Sequence, residues 1–221
     1  FAENILLYIE SSDYFDGVVG KKLLFHTWSL GVEEQYYVFF PIFIILFWSF
    51  GKKNLVWIIS LLTLASFILS EWGWRNEPIA NFYLAPTRAW ELFAGSLVAF
   101  YLNKTSQQSN QLKSFAGILL IAFAIYFYDE STPFPSIYTL VPVIGAALII
   151  IFGDSKTLVA KLLSNKYLVG IGLVSFSAYL WHQPIFTLYH REMGDYLNSH
   201  LNIDWRPFLI LLILCISSFS Y

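Results

Sequence analysis

The chain alternates long runs of apolar residues with short polar segments, and this alternation predicts membrane-spanning helices. A hydrocarbon layer of roughly 30 Å is crossed by about 20 mostly apolar helical residues. Seven stretches approach that length between polar breaks, at 35–51, 54–70, 82–102, 114–128, 131–153, 167–190 and 207–221. Because only helices and closed barrels satisfy the backbone in lipid, we predict an all-α fold, a polytopic transmembrane helix bundle with about seven spans.

The composition agrees with this fold class and excludes several others. Hydrophobic residues fill 57% of the 221 positions, charged residues fill 13%, and the mean hydropathy is +0.59. A soluble domain carries about 25% charged residues, so this chain has too little polar material to cover a water-facing surface. The net charge of −2 and the single cysteine, Cys215, exclude a basic nucleic-acid-binding protein and a disulfide scaffold. The expected partner is therefore the lipid bilayer and not a nucleic acid.

Basic residues divide the predicted loops into two sets. The loops at 51–53, 103–113 and 153–166 lie on one side of the bundle. They hold seven lysines, Lys52, Lys53, Lys104, Lys113, Lys156, Lys161 and Lys166. The longer loops of the other side hold five basic residues, Lys21, Lys22, Arg75, Arg191 and Arg206. Because cytoplasmic loops carry an excess of basic residues, the lysine-rich loops are predicted to be cytoplasmic.

The two ends of the sequence suggest an internal piece of a longer membrane protein. The chain begins with Phe1 rather than methionine, and it ends within an apolar run. The apolar segment 1–10 is compatible with the tail of a preceding span or with an interfacial helix, and its pattern does not decide between them. We treat 1–221 as one partial membrane domain.

Three clusters of polar residues interrupt the apolar pattern. Ionisable groups inside a membrane are candidates for function because they are costly to bury there. The first cluster, at 26–37, includes His26, Glu33 and Glu34. Ser29 is predicted to cap the following helix, which would place both glutamates in its first turn, where the helix dipole favours carboxylates. The alternative to a catalytic role is therefore that Glu33 and Glu34 only stabilise the first turn of the helix.

The second and third clusters lie in the predicted third and sixth spans. Arg88 and Glu91 stand three residues apart, so they either bind a substrate or form an ion pair that stabilises the bundle. Tyr179, Trp181 and His182 precede a proline that is predicted to kink their helix. A lone buried histidine is often only a packing residue, but these neighbours favour a functional one. All three clusters are predicted to lie in the half of the membrane opposite the lysine-rich loops.

Several chemistries are compatible with these groups. Histidine and carboxylates in an apolar surrounding suit general acid–base catalysis, since burial and neighbouring charges shift their pKa values toward neutrality. The same groups would suit a proton relay in a polytopic transporter, and a scaffold subunit is a third class. The inverted repeats and broken helix pairs of transporters are not visible in the sequence. There is no HExxH pattern and no cysteine cluster, so no metal site is predicted.

The three clusters also resemble the motifs of a known family. The string at 26–37, His-Thr-Trp-Ser-Leu-Gly-Val-Glu-Glu-Gln-Tyr-Tyr, with Pro41, is similar to the signature of the acyltransferase-3 family of bacterial integral-membrane O-acyltransferases. The segments 88–95 and 175–185 resemble two further motifs of that family, in the family's order. The likeness is greatest to the branch of O-antigen acetylases and peptidoglycan O-acetyltransferases. It implies a fold of about ten membrane helices in the bacterial cytoplasmic membrane, of which this chain would supply a part.

The resemblance further implies transfer of an acyl group, usually acetyl, to a hydroxyl of a cell-surface polysaccharide or glycolipid. The donor would be cytoplasmic acetyl-CoA or another acyl-CoA, bound as a substrate rather than as a resident cofactor. The primary catalytic histidine is expected upstream of Phe1, because Asp16 rather than a basic residue stands ten positions before His26. This piece alone is therefore expected to be inactive. The acceptor sugar and the oligomeric state stay open.

The resemblance also implies roles for the residues that are present. Glu33, Glu34 and His26 are supporting catalytic candidates, with the glutamates orienting or deprotonating groups around the upstream histidine. Arg88 and Glu91 are expected either to contact the acyl carrier or to hold the first helix in place. Aromatic faces stack on sugars, so Tyr179 and Trp181 are expected to bind the glycan. The candidate substrate-binding residues are Trp28, Arg88, Glu91, Tyr179, Trp181 and His182.

Overall fold

The structure confirms an all-α architecture for the part of the chain that it describes. It is a computed structural model that describes residues 2–13, 24–105 and 107–188, together with residues 210, 213 and 217. The α-helices are α1 (Glu3–Asp13), α2 (Trp28–Phe47), α3 (Lys52–Asn76), α4 (Pro78–Tyr83), α5 (Ala85–Thr105), α6 (Gln111–Phe127), α7 (Leu140–Phe152), α8 (Leu158–Leu163) and α9 (Lys166–Leu188). Short 3-10 turns at Phe25–Thr27, Trp48–Phe50 and Ile137–Thr139 adjoin α2 and α7.

Within these described ranges, two helices are long and apolar enough to cross a membrane. They are Trp28–Phe50, in which α2 continues through a 3-10 turn, and Lys52–Asn76, which is α3. The helices at Gln111–Phe127 and Ile137–Phe152 are apolar but shorter. The number of seven spans therefore stays a prediction, and the predicted seventh span, at 207–221, lies almost entirely outside the described residues.

The first membrane-length helix begins earlier than the sequence suggested. Because α2 begins at Trp28, directly after a 3-10 turn, Ser29 lies inside the helix and its predicted capping role is wrong. The preceding turn is closed instead by Thr27, whose Oγ1 donates to the carbonyl oxygen of Leu24 at 2.7 Å. Glu33 and Glu34 consequently fall in the second helical turn, where the dipole of the helix N-terminus stabilises a carboxylate less.

The chain divides into two compact units. Unit 1 comprises Phe1–Ile9 and Trp28–Leu162, and unit 2 comprises Glu10–Thr27 and Leu163–Tyr221. Unit 1 contains α2 to α7, whereas unit 2 contains α9 and the 3-10 turn that carries His26. The boundary between the units therefore divides the first polar cluster of the sequence.

Two helix pairs, α3 with α5 and α6 with α7, form the core of unit 1. Trp90 of α5 and Leu55 of α3 are almost fully buried. Gly117 of α6 and Gly145 of α7 allow close approach, because a Cβ on either would lie within 2.6 or 2.8 Å of the other's carbonyl oxygen. Small residues of this kind let helices in a membrane gain dispersion contacts between their backbones.

Buried hydroxyl and amide groups hold the segment between α6 and α7 against α3 and α4. Ser70 Oγ and Asn81 Nδ2 both donate to the carbonyl oxygen of Pro135, at 3.0 and 2.9 Å. Both side chains are buried, so each needs a hydrogen-bond partner within the protein. These two bonds fix the backbone beside Phe134, whose ring reaches the candidate site described below.

Candidate active site

Arg88 and Glu91 form an ion pair on α5, as their spacing in the sequence predicted. Nη2 of Arg88 donates to Oε2 of Glu91 at 3.2 Å, and only 12% of the arginine side chain is exposed. A second pair, Arg75 with Glu71 on α3, has a similar local spacing, but its arginine is 53% exposed. Because charges lose hydration free energy when they are buried, the Arg88 pair is the costlier of the two and the stronger candidate for function.

Two aromatic rings contact the guanidinium of Arg88. Its Cζ lies 4.8 Å from the ring centroid of Trp28 and 4.7 Å from that of Phe134. Trp28 and Arg88 belong to different sequence motifs, and unit 1 brings them together. A guanidinium beside aromatic faces is attracted by the ring quadrupole, and its planar N–H groups are held in one orientation.

Some buried polar atoms of α5 have no hydrogen-bond partner within the described part of the chain. They include Nη1 of Arg88 and Oε1 of Glu91. Buried polar atoms in folded proteins are nearly always paired, so Nη1 is available to an oxygen atom of a ligand. A guanidinium N–H group recognises carbonyl, carboxylate or phosphate oxygens.

The first turn of α1 ties together the helices that surround Trp28. Asn4 is 1% exposed, and its Nδ2 donates to the carbonyl oxygen of Tyr83 at 3.1 Å. Its Oδ1 accepts from Nε2 of Gln35 on α2 at 2.9 Å. The ring of Tyr83 meets that of Trp28 edge to face, with centroids 5.6 Å apart. The segment 1–10, whose role the sequence left open, thus supports the Arg88 site.

In unit 2, the structure brings His26, Tyr179 and His182 together. The ring centroid of His26 lies 4.8 Å from that of His182 and 5.0 Å from that of Tyr179. The Tyr179 hydroxyl donates to the carbonyl oxygen of His26 at 2.5 Å, across 153 positions of sequence. Residues from the first and third sequence clusters therefore form one aromatic and imidazole group.

The hydrogen bonding of His182 defines which ring nitrogen can accept a proton. Its Nδ1 lies 2.5 Å from the carbonyl oxygen of Tyr179. A carbonyl oxygen can only accept, so Nδ1 carries a proton in this contact. In the neutral tautomer with that proton, the lone pair lies on Nε2, where the ring can accept a hydrogen bond.

The surroundings of His26 lower the pKa of its imidazole. Burial lowers the pKa of its imidazole, the neighbouring His182 lowers it further, and a hydrogen bond with the backbone of Leu180 acts in the opposite direction. The result is a pKa below the ordinary histidine value of about 6.5.

The remaining sequence candidates are placed less specifically. Glu33 and Glu34 are half-buried on α2, and Trp181 on α9 is 44% exposed. Glu33 forms no hydrogen bond or ion pair with the other candidates that the structure describes. The catalytic roles of the two glutamates and the binding role of Trp181 stay predictions.

Phe134 is a site residue that the sequence did not reveal. Its side chain is 45% exposed and contacts the guanidinium of Arg88, although the two residues are 46 positions apart. In the sequence, Phe134 is an aromatic residue before a proline in a predicted loop. That pattern indicates a turn and does not indicate a contact with an arginine.

Each cluster, taken by itself, contains a side chain of a kind that acyl-transfer enzymes use. A transferring acyl group needs a hydrogen-bond donor for the negative charge that develops on its oxygen, and Nη1 of Arg88 is such a donor. The attacking hydroxyl needs an acceptor for its proton or hydrogen bond, and Nε2 of His182 is such an acceptor.

Comparisons with known proteins agree with this chemistry. The profile of the acyltransferase-3 family, described as an acyltransferase domain, matches residues 4–220. The putative peptidoglycan O-acetyltransferase YrhL of Bacillus subtilis is 28% identical over 92% of this chain and 34% of its own length. The peptidoglycan O-acetyltransferase OatA of Listeria monocytogenes is 30% identical over 85% of the chain and 33% of its own length.

The chain thus spans about a third of the length of these relatives. No solved structure matches it. Because the family profile covers nearly all of its residues, the chain belongs to the acyltransferase-3 family, a family of membrane O-acyltransferases.

Proposed function

We propose that the chain is part of a membrane enzyme that moves an acyl group, in the first instance acetyl, from an acyl-CoA to a hydroxyl of a cell-surface glycan. Two relatives are named as peptidoglycan O-acetyltransferases, so peptidoglycan is the first acceptor to test. Within the structure, the proposal rests mainly on one observation, the buried Nη1 group of Arg88 that the described residues leave available.

In the proposed reaction, the hydroxyl oxygen of the glycan bonds to the acyl carbonyl carbon, and the thioester C–S bond breaks. The hydroxyl proton passes to a base and then to the departing sulfur, so CoA leaves as a thiol. Negative charge develops on the acyl oxygen, and Nη1 of Arg88 donates to that oxygen. Glu91, Trp28 and Phe134 hold the guanidinium in position for this contact.

The proposed proton acceptors follow from the family resemblance and from the tautomer of His182. A histidine outside this chain serves as the primary base, and Glu33 and Glu34 orient groups around it. Within unit 2, His182 is a second candidate to accept a hydrogen bond from a glycan hydroxyl. His26 contacts the ring of His182 and restricts its orientation.

The proposed topology places the nucleotide end of acyl-CoA at the cytoplasmic face of the bacterial cytoplasmic membrane and the glycan at the outer face, so that the thioester meets the glycan hydroxyl within the bundle. The chain contributes seven spans to a larger bundle, and its lysine-rich loops at 51–53, 103–113 and 153–166 face the cytoplasm. Acyl-CoA is a cytoplasmic metabolite, whereas the glycan lies outside. The exposed ring of Trp181 is proposed to stack on a sugar of the acceptor.

The test uses the full-length protein in proteoliposomes with acetyl-CoA that is labelled in the acetyl group, and with soluble peptidoglycan strands. The expected result is a labelled ester on the glycan together with an equal amount of free CoA thiol, both dependent on the acceptor. A transporter would instead move label across the membrane without forming the ester. Label transport without ester formation, or no thioester cleavage in the presence of acceptor, would contradict the proposal.

A further inference from the structure

A cavity of unit 1 lies at the end of the α3/α5 pair that carries lysines. It has a volume of about 500 Å³ and lies between the beginning of α3 and the end of α5. Its polar wall consists of Lys52, Lys53 and Lys104, and its apolar wall includes Trp57 and Phe100. Arg88 lies sixteen residues before Lys104 on α5, roughly 24 Å away at the helical rise, so the cavity is separate from the candidate active site.

The cavity has an excess of positive charge. None of its lining residues is acidic, and within the described ranges none of the three lysines forms an ion pair. The N-terminus of α3 adds to this charge, because no side chain caps its free backbone N–H groups. Ammonium groups and uncapped backbone N–H groups both bind phosphate oxygens.

An apolar stripe continues from the cavity along the exposed face of α3. Trp57, Leu61, Leu64 and Ile68 recur at helical spacing on one side of the helix, and each is more than half exposed. A soluble phosphorylated ligand would leave this stripe uncovered, whereas the acyl chains of a lipid would pack against it. Tryptophan at the level of the lipid headgroups is typical of membrane interfaces.

We propose that this cavity binds the headgroup of one anionic phospholipid, with the lipid's acyl chains along the stripe of α3. The three ammonium groups and the N-terminus of α3 hold the phosphate, and Trp57 lies at the junction of headgroup and chains. Basic pockets between membrane helices recognise anionic headgroups in this way. The proposed lipid site is independent of the acyl-transfer reaction, because its residues are separate from the Arg88 site and from the His182 group.

The test compares the full-length protein with two triple variants. In the cavity variant, glutamine replaces Lys52, Lys53 and Lys104. In the control variant, glutamine replaces Lys156, Lys161 and Lys166, which removes the same amount of charge outside the cavity. Each protein is equilibrated with an equal mixture of phosphatidylglycerol and phosphatidylcholine in detergent. The phosphatidylglycerol that remains bound is then counted by native mass spectrometry.

The parent protein and the control variant are expected to retain one phosphatidylglycerol, whereas the cavity variant binds it more weakly by roughly fivefold for each lysine removed. A third variant with arginine at the three cavity positions is expected to keep the lipid. Equal retention in the cavity and control variants would overturn the proposal. Displacement of the lipid from the parent protein by CoA would also overturn it, because the cavity would then be a site for a soluble phosphate ligand.

Discussion

The Arg88 site of unit 1 and the His182 group of unit 2 differ in the side chains they contain and in the interactions that hold those side chains. The Arg88 site is an ion pair with 12% of its arginine exposed, and two rings from distant parts of the chain contact it. The His182 group consists of two imidazoles and a phenol, joined by hydrogen bonds to backbone carbonyl oxygens. The first arrangement suits stabilisation of developing negative charge, and the second suits acceptance of a proton or a hydrogen bond.

The two clusters also differ in how much their substitution should change the stability of the fold. A buried ion pair loses much hydration free energy, so removal of one partner leaves the other charged and unpaired. The His182 group has no ion pair, and its Nδ1 contact with the carbonyl oxygen of Tyr179 is a single hydrogen bond, which contributes about 0.5–1.5 kcal/mol. Substitutions at Arg88 should therefore affect stability and activity together, whereas substitutions at His182 should mainly affect activity.

The largest effect is expected from Arg88→Gln. It leaves the Glu91 carboxylate half-buried without its cation, and the free energy of unfolding should fall by about 3–5 kcal/mol. The matched control is Arg75→Gln, which removes the α3 pair whose arginine is 53% exposed and should cost about 0.2–1 kcal/mol. Thermal unfolding of both variants in the same detergent measures the difference. Equal shifts of Tm would show that burial does not distinguish the two pairs.

His182→Gln is expected to reduce activity while the fold remains intact. Loss of the acceptor nitrogen Nε2 should lower kcat/KM for acyl transfer by about 10- to 100-fold, equivalent to roughly 1–3 kcal/mol for one hydrogen bond. Tyr167→Phe is the control, since this residue lies on the same helix with 70% exposure. An unchanged kcat/KM in the His182 variant at normal Tm would remove the His182 group from the proposed site.

Gly73→Ala tests the scaffold of the Arg88 site. A Cβ at Gly73 would lie 2.6 Å from Oδ1 of Asn81, the residue whose Nδ2 holds the backbone beside Phe134. Overpacking there should lower stability by about 1–3 kcal/mol. Gly95→Ala on α5 meets no atom within 4 Å and should be neutral or stabilising by up to about 1 kcal/mol. Unfolding midpoints that move in the same direction would contradict this packing.

The smallest effect is expected from Phe134→Leu. The substitution keeps an apolar side chain but removes the ring beside the guanidinium, a contact that contributes about 0.5–1 kcal/mol at a partly exposed position. We expect a two- to fivefold fall in kcat, with the KM for the acyl donor little changed, because the guanidinium acts on charge that develops in the transition state. Phe127→Leu serves as control, because that ring is exposed at the end of α6 and contacts other aromatic rings rather than a cation. No difference between the two variants would leave Phe134 without a role in the site.

The sequence predicted the features that depend on local spacing. Apolar runs predicted helices, and the i, i+3 spacing of Arg88 and Glu91 predicted an ion pair that the structure contains. The predicted cap at Ser29 failed because a 3-10 turn precedes α2 and moves the beginning of the helix to Trp28. The capping pattern in a sequence does not show how the chain enters a helix.

The sequence could not predict contacts between distant segments. Phe134 reaches Arg88 because Ser70 and Asn81 hold the carbonyl oxygen of the next residue, Pro135, and neither residue has a sequence pattern that indicates such a partner. Likewise, the bond between Asn4 and Gln35 became visible only in three dimensions. These contacts depend on tertiary packing, which hydrophobic periodicity specifies only as a buried face.

The most direct test of the central proposal, that Arg88 donates to the acyl oxygen, is the ratio of kcat values for the Arg88→Lys variant and the parent protein in the acyl-transfer assay. Lysine retains the positive charge beside Glu91, but it lacks the second, planar N–H group that corresponds to Nη1. We predict a kcat about 10²–10³-fold lower, as for loss of one donor to a developing oxyanion, with Tm reduced much less than in Arg88→Gln. A kcat equal to that of the parent protein would contradict the proposed role of Arg88.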